Sequence, residues 1–327
     1  LSSSKIIKDL KLKKTIHQFF PIDTNYISQK FINYWKPSKV FFIDSEIWPN
    51  MILNLKKRNI PIILINGRIT KRTFRRWKFI SSLSNNIFSK FDLCLASSKE
   101  SFKLLKMLNV KNVKLIGNLK FSQSEKKIPK NNNLKKSFKN KKIWCASSTH
   151  SSEELICGSI HLDLKKRVKN LLTIIIPRHI ERSEQIKKDL EKLNLKVYIE
   201  GSKNKLEPDT DIYLVNSYGK TKTFFENTNI VFLGGSLINH GGQNPLEAAR
   251  FGCNIISGPY NQNFSEIYDF LEKNKISKKI NTKNKLSKHL NILFRKNNKN
   301  NKIKLKLKRI GQNILIKTYK EINYLKS

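Results

Sequence analysis

"FLGGSLINHGGQNPLEAARFG" (residues 232–252) sets two Gly-Gly pairs, a Ser, an Asn and a Glu between an apolar run and a helix-forming segment, in a chain with only 12 glycines. Glycine gives up packing and loses entropy on folding, so a cluster marks a sharp turn or a close approach of the backbone. The preceding "NIVFLGG" (229–235) reads as a buried strand that ends at Gly234-Gly235. The following "NPLEAARFG" (244–252) reads as a helix, with Asn244 suited to the cap and Pro245 to the first position. The glycines therefore lie between the carboxyl end of a strand and a helix start, where free amides and the helix dipole favour an anion. Two readings stay open: a phosphate cradle built on Gly234, Gly235 and Ser236, or a tight turn with no ligand. The spacing matches neither the Walker loop nor the dinucleotide fingerprint. Glu247, one turn in, either complements the helix dipole or accepts hydrogen bonds from a ribose.

Outward from this point the pattern repeats. "SKVFFI" (38–43), "IPIILI" (60–65), "FDLCLA" (91–96) and "NVKLIG" (112–117) are apolar runs separated by helix-length segments. A second series follows: "IWCASS" (143–148), "LLTIIIP" (171–177), "LKVYIE" (195–200), "DIYLVN" (211–216), the run before the glycines, and "CNIISG" (253–258). Continuous apolar runs alternating with amphipathic segments predict parallel sheets covered by helices. The polar stretch 122–142 reads as a linker. The predicted class is α/β, with two Rossmann-like domains: residues 1–121, and residues 143–327 ending in a long basic helix from 297. Ligands are expected at the carboxyl ends of the strands, in a cleft between the domains.

Polar clusters fall at those ends. Ser148, Thr149 and His150 follow one strand; Arg178 and His179 follow the next. Arg178 is suited to pair with a phosphate and His179 to hydrogen-bond to it. A capping role for Ser148 or Thr149, and a surface ion pair for Arg178, are the alternatives. In the first half, "DSEIWPN" (44–50) offers Glu46 as a cleft acid beside Trp48, and "NGRITKRTFRRW" (66–77) gathers Arg68, Arg72, Arg75 and Arg76. The arginines suit an anionic acceptor or membrane headgroups; a solvated helix face is the alternative. "DTD" (209–211) resembles a metal-binding motif, but it precedes a strand and has no acidic or histidine cluster beside it.

The 327 residues suffice for two domains, and 39% hydrophobic content allows a real core. With 65 Lys and Arg against 24 Asp and Glu, the formal charge of +41 points to an anionic partner or to a Lys-rich composition alone. Cys94, Cys145, Cys157 and Cys253 are far apart, which argues against a zinc site and fits a reducing compartment. No apolar run reaches the roughly 18 residues that a spanning helix needs. A basic nucleic-acid-binding protein is favoured by charge alone, and leaves the glycine segment unexplained.

Taken together, "FLGGSL", "GGQNPLEAA", "GPYNQNF", "ASSTHSSEE", "PRHIER", "SEIWPN" and "NGRITKRT" resemble the 3-deoxy-D-manno-octulosonic acid (Kdo) transferases of lipopolysaccharide synthesis, in that family's order. The resemblance implies a GT-B fold, CMP-Kdo as donor, a lipid A precursor as acceptor, inversion at the anomeric centre and no metal or other cofactor. It implies work at the cytoplasmic face of the inner membrane, on an anionic surface, and no nucleic acid. Carried over, Ser148, Thr149, His150, Arg178, His179, Gly234, Gly235, Ser236, Asn244, Glu247 and Asn263 are the donor-side residues. Glu46 matches an acid of the acceptor side, where Arg68, Arg72 and Arg75 are also expected. Asp44 and Ser45 depart from the family's Glu-Thr, Gln243 from its His, and Asn216 and Lys220 from its Asp and Glu. The family's base, a Glu in Ser-x-Gly-Glu, has no match here. The chain is therefore expected to start after that segment and, as it stands, to bind CMP without transferring Kdo. A GT-B enzyme using another sugar nucleotide is the alternative.

Overall fold

A computed structural model describes Ile7, Leu10 and residues 12–123, 132–202, 206–296 and 301–324. The chain divides into two units, one of Leu1–Leu119 with Ile314–Ser327 and one of Lys120–Asn313.

The first unit holds α1 (Asn25–Trp35), β1 (Val40–Ile43), α2 (Pro49–Lys57), β2 (Ile62–Gly67), α3 (Lys71–Phe79), α4 (Ser81–Phe88), β3 (Leu93–Ala96), α5 (Lys99–Met107) and β4 (Val113–Leu115). Its strands form a parallel sheet in sequence order. The helix starts follow capping chemistry. The Thr24 hydroxyl accepts from the Ile27 N–H at the head of α1, and Ser98 accepts from the Ser101 N–H at the head of α5. Asp23 caps α2 from outside: its two carboxylate oxygens accept the N–H groups of Asn50 and Met51 at 3.0 and 2.8 Å. Ile52, Leu55, Ile62, Leu64, Phe88 and Leu105 fill the core.

The second unit begins with α6 (Asn132–Ser137), within the stretch read as a linker, and β5 (Lys142–Thr149). There follow α7 (Glu153–Lys165), β6 (Leu171–Pro177), α8 (Ser183–Glu191), β7 (Val197–Ile199), β8 (Ile212–Leu214), α9 (Thr221–Asn227), β9 (Ile230–Leu233), α10 (Leu246–Arg250), β10 (Asn254–Ser257), α11 (Ser265–Lys273), β11 (Ser277–Lys279) and α12 (Lys283–Lys296). The seven strands are all parallel, in the order β11-β10-β9-β5-β6-β8-β7. From β5 the chain builds outward through β6 in one direction and returns through β9 to build in the other. The strand order thus reverses between β5 and β9, the point where open α/β sheets bind ligands. β6 is buried along its whole length, as a strand covered on both faces must be.

One buried polar network braces this unit. The His161 ring meets Thr173 Oγ1 at 2.8 Å through Nδ1 and Asp211 Oδ1 at 3.1 Å through Nε2. Lys165 donates to the same Asp211 oxygen, and the Lys196 N–H donates to the other at 3.0 Å. The Asp of "DTD" that heads β8 therefore anchors a histidine and two lysines. Burial alone would raise the Asp211 pKa, but the bonds from His161, Lys165 and the Lys196 N–H prevail and hold it below the usual carboxylate range.

The last helix, α13 (Asn301–Tyr324), confirms the long basic helix but corrects the domain boundary. Its residues from Ile314 onward belong to the first unit. Ile322 packs against Ile63, Leu93 and Leu95, Glu321 pairs with Lys114, and Ile314 lies so near Gly117 that a Cβ there would be 3.0 Å away. Apolar side chains spaced along a basic helix do not reveal from sequence which core receives them. Residues 297–300 and 325–327, part of the predicted helix, lie outside the described residues.

Candidate functional site

The order of the second sheet brings the ends of β10, β9, β5 and β6 side by side. β5 ends irregularly: its register with β6 shifts between Ser147 and Thr149, and Ser148 sits at φ 57°. The loops are then stitched together. The Gly234 N–H donates to Ser147 O at 2.8 Å and the Arg178 N–H to Thr149 O at 2.9 Å.

The glycine turn is already occupied. Glu153, at the start of α7, is completely buried, and its carboxylate accepts four backbone N–H groups. Oε2 takes those of Gly235 at 2.7 Å and His150 at 3.0 Å; Oε1 takes those of Leu237 at 3.0 Å and Ser236 at 3.2 Å. Such charge-assisted bonds are roughly twice as strong as neutral ones. Ser236 is buried too: its hydroxyl donates to Leu233 O and accepts the Gly258 N–H at 2.7 Å. The expectation that Gly234, Gly235 and Ser236 hold a phosphate through their amides is therefore corrected, because each of those amides has an internal acceptor. The turn does attract an anion, but the anion is a side chain 82 residues away in sequence. Gly235 sits at φ 64°, in the left-handed region that glycine tolerates.

Histidines line the rim instead. The His150 ring is 4.1 Å from that of His240 and 6.2 Å from that of His179. His150 is 9% exposed, and its Nε2 and the neighbouring Thr149 Oγ1 are buried with no hydrogen-bond partner. Unpaired buried polar atoms are rare and mark where a ligand or water completes the set. Burial lowers the His150 pKa; His240, His179 and Arg178 lower it further, while Glu153 opposes them. His150 thus favours the neutral imidazole. In the sequence His240 carries no signal beyond its place before the second glycine pair.

The other residues expected on the donor side serve the loops. Asn263 donates from Nδ2 to His240 O at 3.4 Å and from its N–H to Gly241 O at 3.1 Å, bracing the turn that carries His240. Asn244 Oδ1 accepts the Leu246 N–H at 3.0 Å, at the first residue of α10, while Pro245 rather than Asn244 holds the cap position. Glu247 is 3.6 Å from Lys222. Arg178 and His179 are exposed, with His179 Nδ1 3.2 Å from Glu181. Of the departures from the family pattern, Lys220 pairs with Glu200 at 3.2 Å. Among the described residues no group of three or more His, Cys, Asp or Glu is placed to hold a metal ion.

In the first unit the candidate residues again sit at the carboxyl ends of strands. After β1, Glu46 is exposed and accepts from Trp48 Nε1 at 2.9 Å. After β2, the Arg68 N–H donates to Asp44 O at 3.0 Å. The Asn66 amide donates to the Asp44 carboxylate, while Asn66 Oδ1 accepts the Leu119 N–H at 2.9 Å. The loops after β1, β2 and β4 are thereby tied together. Arg72 and Arg75 lie exposed on α3, which turns Phe74 and Trp77 to the core. Phe79, Ile80 and Leu83 are exposed at the junction of α3 and α4.

The sequence profile described as 3-Deoxy-D-manno-octulosonic-acid transferase (kdotransferase) matches residues 1–123. A 3-deoxy-D-manno-octulosonic acid transferase of Haemophilus influenzae is 33% identical over 261 residues, covering 78% of this chain and 61% of that protein. An Arabidopsis thaliana protein described as "Probable 3-deoxy-D-manno-octulosonic acid transferase, mitochondrial" is 30% identical over 308 residues, covering 90% of this chain and 69% of its own. The chain thus spans about six-tenths of the length of the Haemophilus relative. Among solved structures, Anabaena Alr3699/HepE in complex with UDP superposes with a TM-score of 0.59 at 9% identity, over 99% of this chain and 89% of that one. UDP-GlcNAc 2-epimerase from Neisseria meningitidis gives 0.57 at 14%, over 96% and 84%. These likenesses establish the fold alone, the GT-B class of two parallel α/β units. On the sequence matches, this chain belongs to the 3-deoxy-D-manno-octulosonic acid (Kdo) transferase family.

Proposed function

We propose that the chain carries the donor and acceptor surfaces of a Kdo transferase that moves Kdo from CMP-Kdo to a lipid A precursor at the cytoplasmic face of the inner membrane, with inversion and without a metal. The observation that supports the donor assignment is the cluster of His150, His179, His240 and Arg178 at the strand-order reversal, with two unpaired buried polar atoms beneath it. In an inverting transfer the acceptor hydroxyl gives its proton to a general base and its oxygen bonds to the anomeric carbon, as the bond from that carbon to the CMP phosphate oxygen breaks and CMP leaves. Negative charge grows on the departing phosphate, and a fixed cation at that place, Arg178, with hydrogen-bonding imidazoles beside it, lowers the barrier.

Calorimetric titration with CMP tests this, with UDP as the control nucleotide. Arg178→Ala is expected to weaken CMP binding about tenfold or more, as loss of a hydrogen bond to a charged group requires. Unchanged CMP affinity in a folded Arg178→Ala protein, or equal affinity for UDP, would count against the reading.

On the acceptor side, Arg72, Arg75 and Arg76 present positive charge beside the exposed Phe79 and Ile80. No helix of the described residues is long and apolar enough to cross a membrane. Binding to vesicles containing anionic lipid is expected, and high salt should abolish it. Replacing the three arginines by Ala should weaken it roughly a hundredfold, at about 1 kcal/mol for each basic residue near the surface. Sedimentation with neutral vesicles that matches the anionic ones would overturn the electrostatic account.

A further inference from the structure

The glycine turn of the second unit has the shape and the amides of a phosphate cradle, yet its occupant is internal. Glu153 reaches back to the His150 N–H on the loop after β5 and across to the Gly235, Ser236 and Leu237 N–H groups on the loop after β9. Ser236 passes the connection on. Its hydroxyl accepts the Gly258 N–H at 2.7 Å and its carbonyl the Tyr260 N–H at 3.0 Å, so the loop after β10 is held as well. The Gly235 carbonyl accepts the Gly242 N–H at 2.8 Å, which closes the segment that carries His240. One carboxylate therefore fixes three loops and, through them, the tilted pair of His150 and His240, whose rings lie 4.1 Å apart.

The geometry points to Glu153 as a positioning residue: it fills the backbone cradle permanently, so that an incoming phosphate is met by the side chains of His150, His240, His179 and Arg178 and not by the glycine amides. The inference rests on the donor-site reading above and adds which groups bind and which only hold them in place. Two features support it. The carboxylate is wholly buried with its oxygens divided among four donors, and releasing it would leave those donors and a buried charge unpaired. Among the buried side-chain atoms, His150 Nε2 and Thr149 Oγ1 lack a partner, whereas the Gly234, Gly235, Ser236 and Leu237 N–H groups each have an acceptor. Glu153 also acts on His150 through space. The charged and titratable groups around that ring are His240, Glu153, His179 and Arg178, and of these Glu153 alone favours the protonated imidazole. A ligand anion binds better to the protonated ring, so Glu153 extends anion binding toward higher pH.

Two measurements test the inference. In amide spectra of the wild-type chain titrated with CMP, the Gly235, Ser236 and Leu237 N–H groups should keep their hydrogen-exchange protection, while the His150 and His240 ring signals shift. Large amide shifts with loss of protection would mean that the phosphate displaces Glu153, and would overturn this inference while leaving the donor-site reading intact. Absence of any CMP binding would overturn both. In Glu153→Gln, verified as folded by circular dichroism, CMP affinity at pH 7 should fall at least about tenfold, the scale of one lost charged hydrogen bond. The pH at which CMP affinity declines should also move lower than in wild type, a displacement that a loosened loop alone would not cause. Unchanged affinity with an unchanged pH profile would overturn the role. Should that variant fail to fold, the wild-type titration decides.

Discussion

Gly234→Ala is expected to lower the stability of the second unit by about 3 kcal/mol, near the upper end for overpacking a closed interior. A methyl group at this position would lie 2.5 Å from Ser148 O, 2.6 Å from Thr149 Cα and 2.8 Å from Glu153 Oε2. Two of these are backbone atoms of the irregular end of β5, and the third belongs to a carboxylate held by four N–H groups. None is the free end of a flexible side chain, so the collision must be relieved by moving a strand end or by releasing Glu153. For a unit of this size the midpoint of thermal unfolding should fall by roughly 6–12 °C. The measurement is a calorimetric or circular-dichroism melt of the variant beside wild type. A shift under about 2 °C would mean that the β5 and β9 loops are not packed as described.

Asp211→Asn should cost a similar amount, about 3 kcal/mol, the lower end for breaking a buried ion pair because the Lys165 head reaches solvent. The substitution leaves His161 and the Lys196 N–H facing an amide in a site built for a carboxylate. Its pH signature separates it from a packing defect. The folded-state pKa of Asp211 is depressed, so its contribution is fully present above the unfolded value, about 3.9, and is lost as pH falls through the lower folded value. The gap between wild type and variant in denaturant melts should therefore be constant from pH 7 to about pH 5 and shrink in stronger acid. A gap that stays the same down to pH 3 would exclude Asp211 as the anchor of the network.

The parallel sheets were legible because burial on both faces writes itself as uninterrupted apolar runs. Each of the ten runs in the sequence coincides with a strand. β11 escaped because "SKK" at a sheet edge buries only Ser277 and carries no apolar signal. The helix Asn132–Ser137 escaped because a polar Lys/Asn segment reads as linker whatever it folds into. At the candidate site, the side chains read from sequence include His150 and His179, whose rings the structure brings within 6.2 Å of each other. The sequence did not reveal what the glycine amides bind. A turn that attracts an anion looks the same in sequence whether the anion is a phosphate or a glutamate, and Glu153 stands in "SSEE" as one of two adjacent acids. Its neighbour Glu154 pairs with Arg182 at 3.2 Å, and nothing local distinguishes the two roles. Asp211 meets a histidine that lies 50 residues earlier and could not be paired with it from spacing.

Because Ile314 and Ile322 complete the first unit, that unit is interrupted in sequence by the whole of the second. Its sheet is translated early, but the part of α13 that covers Ile63, Leu93 and Leu95, from Ile314 onward, is translated only after Lys120–Asn313. At ordinary synthesis rates of about 5–20 residues per second, the nascent first unit waits on the order of 10–40 s with that apolar surface uncovered. The second unit has no such delay, so on the ribosome the later-made half should reach its final fold first. The usual order of amino-terminal domain before carboxy-terminal domain is then inverted, and in that interval the uncovered face of the first sheet is the natural client surface for a chaperone.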